Sequence, residues 1–449
     1  MNIKDKKISI LGAVRSGIGA AKLAKQFGAD PFVSDSGNPE KLAEAKREFE
    51  KSNIDYEFGN HTEKVFDCDF IVTSPGVPTN SEILVKAKSK GIKVYSEVEF
   101  ASWFCEGTVA SITGSNGKTT TTALLNHVLN EAGLKCYEAG NIGFAFSEIS
   151  SRVNHDEFVS LETSSFQLDH IDSFKPKFAL ILNITPDHLD RYENDFEKYK
   201  AAKFRVFENQ MDEDILVINF DDPNLKNVLE TANSQIYSFS TKTKVSNGAY
   251  LDKNKLIYEE SGNAETVCNS SDLYIKGEHN IANALAVFIV AKKIGLDNSS
   301  IKNGFTTFKG VEHRLEFVRE INGIKFINDS KATNVDSVWY ALKSFDQQIL
   351  LILGGKDKGN DYSKIKNLVK ERVRKIYAIG SSKDKVMQFF RDEVEVEQKR
   401  TLEESVLASF NEAEENEVVL LSPACASFDM FDDYEHRGKV FKDAVMSLN

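Results

Sequence analysis

The stretch Ser111-Ile112-Thr113-Gly114-Ser115-Asn116-Gly117-Lys118-Thr119-Thr120 constrains this chain more than any other. An apolar, strand-like run, Thr108-Val109-Ala110-Ser111-Ile112, leads into it. A helical pattern follows, with Leu124, Leu125, Val128 and Leu129 on one side and Gly133 as its stop. A strand, a small-residue turn and a helix N-terminus make a cradle for phosphate, because glycine lets N–H groups point inward and the helix dipole favours an anion. Lys118 is then placed to reach a β- or γ-phosphate, and the Thr119 hydroxyl to touch Mg2+. The match to the full phosphate-loop pattern is partial, since Ile112 stands where its first glycine belongs.

The same reading repeats along the chain. Lys7-Ile8-Ser9-Ile10-Leu11-Gly12 predicts a buried strand, a turn through Gly17, a helix to about Phe27 and a second strand, Pro31–Asp35, ending in an acid. That is a βαβ unit suited to a nucleotide-like ligand, although Val14 replaces the second glycine of the dinucleotide fingerprint. Phe70–Val77 reads as a strand ending in a Ser-Pro-Gly turn. Phe158–Leu161 predicts a strand delivering Glu162, where a carboxylate beside a phosphate loop can hold Mg2+. Phe178–Ile184 predicts a further strand emptying into Thr185-Pro186-Asp187-His188-Leu189-Asp190-Arg191-Tyr192, whose histidine lies between acids. Residues 197–207 read as a helix in which Lys203, between Ala202 and Phe204, is on its residues alone a snorkelling surface lysine. Residues 241–272 predict a polar β excursion. Asn280 and Asn283 share one face of the next helix, with an N-cap as the plain role for Asn280. Near the end, three apolar strands each run into a polar turn: Asp329-Ser330-Lys331-Ala332-Thr333-Asn334, Lys356-Asp357-Lys358, and Ser422 to Asp429. Three strand-end loops in one domain would make a small-molecule pocket.

Length and charge bound the rest. A chain of 449 residues suits about three domains. A net charge of −12 argues against nucleic-acid binding. No apolar run is long enough for a membrane span, and Met1–Lys7 lacks a secretory signal. The five cysteines are scattered, so they read as reduced thiols and not as a disulfide frame or zinc site. A cytoplasmic monomer is expected.

Gly-Ser-Asn-Gly-Lys-Thr-Thr (114–120), Glu-Thr-Ser-Ser-Phe-Gln-Leu (162–168), Asn-Ile-Thr-Pro-Asp-His-Leu-Asp-Arg-Tyr (183–192) and Tyr-Lys-Ala-Ala-Lys (199–203) together resemble the Mur ligases of peptidoglycan synthesis, most of all the members that add D-glutamate. The resemblance implies three α/β domains: a Rossmann-like UDP-substrate domain over 1–97, a central P-loop ATPase-type domain over 98–310, and a Rossmann-like amino-acid domain over 311–449. It implies ATP-dependent joining of D-glutamate to UDP-N-acetylmuramoyl-L-alanine. ATP would be held by Gly114, Ser115, Asn116, Gly117, Lys118, Thr119, Thr120, Asn280, Asn283, Arg314, Asp329 and Lys331. The UDP-substrate would meet Arg15, Ser16, Asp35, Ser36, Ser74, Gly76, Asn141 and His188. Thr333, Lys358, Ser427 and Tyr434 would hold the amino acid. Lys118, Glu162, His188 and Lys203 would be catalytic, with Thr119, Glu162, His188 and a carbamylated Lys203 around two Mg2+ ions. Carbamylation needs a neutral amine, hence a burial-lowered pKa. This chain carries Phe428 and Tyr434 where the family pattern suggests an aliphatic residue and a phenylalanine. It lacks the Asp-Asn-Pro-Arg of the diamino-acid-adding members, which favours glutamate. Two rivals are an amide ligase of the folyl-polyglutamate synthetase kind, against which residues 1–97 argue, and a phosphate-loop NTPase switch, which would need no amino-acid pocket.

Overall fold

Three sheets organise the chain, each built from short apolar strands that end in glycine-bearing turns. The computed structural model describes residues 2–448 apart from Ile142, Gly143 and Lys358, and only the backbone of Asn227, Leu229 and Glu230. The chain divides into two compact units, Met1–Tyr274 with Asn280–Phe308, and Ile275–His279 with Lys309–Asn449.

The first unit holds two sheets. In the amino-terminal one, Lys7–Leu11 lies between Asp30–Asp35 and Phe70–Thr73, flanked outside by Asp55–Phe58 and Lys93–Ser96, all parallel. The strand order reverses between Lys7–Leu11 and Phe70–Thr73, which opens a crevice at their carboxyl ends. The second sheet has nine strands. Thr108–Thr113 is an inner strand, third from one edge, paired in parallel with Phe158–Glu162 and Phe178–Ile181, and the helix Lys118–Glu131 follows it. The 241–272 excursion is the antiparallel edge, Gly248–Asp252, Lys255–Glu260 and Asn263–Asn269. Ser261 and Gly262 both take positive φ there, the two-residue turn that matches strand twist.

The strand from Phe178 ends at Ile181, three residues before the end of its apolar run. Asn183 has left the sheet because its carbonyl and amide are used by the loop at Ser115 and Asn116. Asn280 lies inside the helix Glu278–Ile294, so the N-cap role expected for it is replaced by an internal one.

The helix Glu97–Ser102 joins the two sheets and carries two buried acids. Glu99 is fully bonded: its carboxylate accepts from the N–H groups of Asp172 (3.0 Å) and Phe174 (2.7 Å) and from Trp103 Nε1 (2.8 Å). Glu97 accepts one bond, from Ser147 N at 2.6 Å, and its Oε2 is buried without a partner. Burial pushes its carboxyl up to about 7.

The second unit has a six-stranded sheet, parallel except for the hairpin Glu316–Ile321 to Ile324–Asn328, turned at Asn322-Gly323. The strands Ile349–Gly354 and Val418–Leu421 are wholly buried between helices, as central parallel strands must be. Among the described residues no helix is long and apolar enough to cross a membrane.

Candidate active site

Gly114 and Gly117 both adopt positive φ, +154° and +87°. A Cβ on Gly117 would lie 2.6 Å from Asn283 Oδ1, so glycine is required both for the turn and for the approach of the Asn283 amide. Asn283 donates to Asn280 Oδ1 at 3.3 Å, which brings both asparagines beside the loop.

The loop is shaped from outside. Ser115 N donates to Asn183 O (2.9 Å), Asn116 N to Asn183 Oδ1 (2.8 Å), and Asn183 Nδ2 back to Asn116 O (2.9 Å). Ser115 Oγ donates to Thr185 O (2.8 Å) and contacts Tyr199 Oη (3.0 Å). The amides of Ser115 and Asn116 are therefore committed to the protein, and the anion cradle narrows to Gly117 and the first turn of the helix from Lys118. Lys118 Nζ folds over this loop and donates to Gly114 O and Ser115 O, each at 2.9 Å.

Lys203 is buried, and the snorkelling alternative fails. Its Nζ donates to the same Gly114 carbonyl at 2.9 Å and sits 4.7 Å from the Tyr199 ring centroid. Burial, helped by the charge of Lys118, holds its pKa well below the usual lysine value, against the pull of Asp187, Glu162 and Asp169. A buried amine whose pKa is depressed thus lies against the phosphate loop. Thr119 Oγ1 donates to Glu162 Oε2 at 2.8 Å, and Asn141 Nδ2 to Glu162 Oε1 at 3.3 Å. A Cβ on Gly140 would stand 2.1 Å from the backbone carbonyl of Glu162, so glycine is required where the two strand ends approach.

His188 has a left-handed backbone, φ +51°, and its Nε2 is 3.7 Å from Asp187 Oδ2. Its ring packs edge-on to Phe166 at 5.4 Å. Among the described residues the acid–histidine triple close enough to grip a metal is elsewhere, Glu312, His313 and Glu316. There Lys442 Nζ already sits 2.7 Å from both glutamates.

At the crevice of the first sheet, Gly12 and Ser74 touch: a Cβ on Gly12 would be 2.8 Å from Ser74 Oγ. Arg15 and Ser16 open the helix Arg15–Gln26 beside them, and Ser36 and Gly76 are exposed on neighbouring loops. Asp35 does not wait for a ribose with both oxygens open. Oδ2 accepts from Ala13 N and Oδ1 from Gly37 N, each at 2.7 Å, so it shapes the turn.

In the second unit the three strand-end loops converge as expected. Gly354 N donates to Pro423 O (3.0 Å), Lys356 N to Ala426 O (2.8 Å) and Asp329 N to Leu421 O (2.8 Å). Asp329 is buried and accepts from Ser422 Oγ (2.8 Å) and Leu315 N (3.2 Å); burial lifts its carboxyl to about 6, opposed by Arg314. Arg314 Nη1 reaches Ser337 Oγ at 3.5 Å. Lys331 Nζ lies 5.5 Å from the Tyr434 ring centroid, Thr333 N donates to Lys331 O, and Ser427 is buried. Phe428 is largely exposed, and Lys358 lies outside the described residues. Arg437, given no role by the sequence, is buried and ties the loops together, donating to Ser330 Oγ (2.9 Å), Ser330 O (2.7 Å) and Cys425 O (3.0 Å). Asn183, Asp187 and Tyr199 were likewise missed. Their one signal was membership of the polar runs 183–192 and 199–203.

Comparison with known proteins agrees with this arrangement along the whole chain. The family model for the MurD N-terminal domain matches residues 7–83, that for the Mur ligase middle domain matches 112–291, and that for the Mur ligase glutamate ligase domain matches 313–425. The UDP-N-acetylmuramoylalanine–D-glutamate ligase of Christiangramia forsetii is 45% identical over 99% of this chain and 100% of its own. That of Chloroherpeton thalassium is 42% identical over 99% of both. Among solved structures, the UDP-N-acetylmuramate-alanine ligase MurC of Thermotoga maritima has the same fold, with a TM-score of 0.64 at 20% identity over 98% of this chain and 99% of that one. The MurF ligase of Thermotoga maritima, solved with ADP, has a TM-score of 0.60 at 17% identity over 84% and 89%. Since these similarities run from the first sheet to the last, the chain belongs to the Mur ligase family.

Proposed function

We propose that the chain is an ATP-dependent ligase that joins D-glutamate to UDP-N-acetylmuramoyl-L-alanine, a cytoplasmic step in making peptidoglycan precursor. The observation that carries this is a buried Lys203, its pKa depressed, bonded to the carbonyl of the phosphate loop beside the Thr119–Glu162 pair. A plain nucleotide switch has no use for that amine. The names of the end-to-end relatives support the choice of substrates, and the ADP bound to a protein of the same fold supports ATP as the nucleotide.

In this reading residues 1–97 bind the UDP-substrate through Arg15, Ser16, Asp35, Ser36, Ser74 and Gly76, joined by Asn141 and His188. Residues 98–310 bind ATP through Gly114–Thr120, Asn280 and Asn283. Residues 311–449 bind D-glutamate through Thr333, Lys358, Ser427 and Tyr434. The enzyme acts as a monomer on small molecules and not on nucleic acid.

The Thr119 hydroxyl, the Glu162 carboxylate, His188 and a carbamate on Lys203 would form a hard, mostly oxygen donor set of the kind Mg2+ prefers. The carbamate would add a fourth ligand, an anionic oxygen, to the other three. Two Mg2+ ions held there would neutralise charge as two anions meet. An oxygen of the alanyl carboxylate attacks the γ-phosphorus, the bond to ADP breaks, and an acyl phosphate forms. Lys118 offsets charge on the transferring group. The D-glutamate amine then attacks the acyl carbon, the tetrahedral intermediate expels phosphate, and the amine gives up its proton as the amide forms.

Phosphate release measured with ATP, UDP-N-acetylmuramoyl-L-alanine and each amino acid in turn tests the proposal. Release that depends on D-glutamate is expected. ATP hydrolysis indifferent to D-glutamate, or driven by folate in place of the sugar nucleotide, would overturn it.

A further inference from the structure

The segment Asp187–Tyr192 is tied to the first sheet at two separate points. Arg191 Nη1 donates to Pro75 O at 3.0 Å and Nη2 to Gly76 O at 3.1 Å. One guanidinium thus grips two consecutive carbonyls of the Ser-Pro-Gly turn, a fork that a single ammonium cannot reproduce. Next to it, Tyr192 Oη and Thr79 Oγ1 both donate to Asp169 Oδ2, at 2.9 and 3.4 Å, so a second bridge reaches the chain just past that turn.

Phe166 is the plate on which this connection rests. The Arg191 guanidinium lies 4.3 Å from its ring centroid, Tyr192 stacks on it at 6.0 Å with planes 13° apart, and His188 meets it edge-on. The backbone between is held in an uncommon shape. His188, Glu193 and Asn194 have φ of +51°, +58° and +60°. Left-handed residues other than glycine persist where the surroundings over-determine them.

We propose that Arg191 is a positioning residue that fixes the Ser74–Gly76 turn, where the sugar nucleotide docks, to the His188 segment, so that substrate binding and the metal-side groups keep one register. This rests on the ligase reading above. Arg191 touches no reacting atom in this role; it acts through the turn carbonyls and through Phe166.

The test uses Arg191→Lys and Arg191→Met in the full chain, varying each of the three substrates in turn. The KM for the sugar nucleotide should rise ~10- to 100-fold, the scale of one charge-assisted bond, because the loss reaches the substrate only through the turn, with a fall in kcat. The KM values for ATP and D-glutamate should stay within about twofold, a separation that simple loss of folded protein cannot produce. Thr79→Val should act the same way more weakly, ~2- to 5-fold, and serves if the arginine variants fold poorly. An unchanged sugar-nucleotide KM in Arg191→Lys, or an equal rise for all three substrates, would overturn the proposal. Wild-type enzyme run alongside separates the two claims. If it makes product while Arg191→Lys is normal, only the positioning role falls; if it makes none, the ligase reading falls and takes this inference with it.

Discussion

Replacing Lys203 with methionine keeps nearly the same volume in a buried site and removes only the amine. Gly114 O retains its bond from Lys118, so no carbonyl is orphaned and the fold should lose under about 1.5 kcal/mol. Its pH dependence has a definite sign. A lysine with a depressed folded pKa binds fewer protons folded than unfolded, so the wild type gains stability relative to the variant as pH rises toward the ordinary lysine value. Activity should respond far more than stability. Losing one preorganised charged ligand at the transferring phosphoryl group costs ~10²- to 10³-fold in kcat. Lys203→Ala should be as inactive and about 2–4 kcal/mol less stable. The cavity it leaves should admit acetate or formate, which should restore part of the rate, whereas the filled methionine site should resist rescue. Independently of turnover, isotopically labelled bicarbonate should give a carbamate resonance in the wild type that both variants lack. Near-normal rates in Lys203→Met, or no carbamate signal together with indifference to carbon dioxide depletion, would refute the reasoning.

Lys118→Ala should abolish phosphate release, by ~10³-fold or more, while leaving sugar-nucleotide binding by calorimetry within about twofold. Asn183→Asp removes the donor to Asn116 O and sets a negative charge beside the anion loop, so the KM for ATP should rise about tenfold or more while that for D-glutamate is unchanged. Glu97, lifted to about 7, holds a proton in the folded state that the unfolded chain releases near the ordinary glutamate value of 4.5, so stability falls as pH rises through that window. Glu97→Gln should therefore be more stable than wild type above neutral pH, by up to about 3 kcal/mol, with the difference fading in acid; chemical denaturation across pH checks it.

The elements legible in the sequence were those with local causes. Gly114 and Gly117 announced a turn of positive φ, and the apolar runs before Glu162, Asp329 and Ser422 announced buried parallel strands. What stayed hidden depends on partners distant in the chain. Lys203 sits among residues that suit a surface helix, and only Gly114 O and the Tyr199 ring make it an interior amine. Glu97 and Glu99 look alike on one helical turn. Ser147 serves the first, while Asp172 and Phe174 serve the second, and neither could be read from spacing. Asn183 belonged to a recognised run, yet its role as a template for the phosphate loop required the strand to stop at Ile181. Arg437 was one charge among many in the last helix until the loops at Ser330 and Cys425 closed on it.

The account turns on phosphoryl transfer from ATP to the sugar-linked carboxylate before the amine arrives. Supplying UDP-N-acetylmuramoyl-L-alanine with heavy oxygen in its alanyl carboxylate, then weighing the phosphate released during a single turnover with D-glutamate, tests that order directly. One heavy oxygen carried into each phosphate is the predicted result; phosphate bearing none would contradict the acyl phosphate and the mechanism built on it.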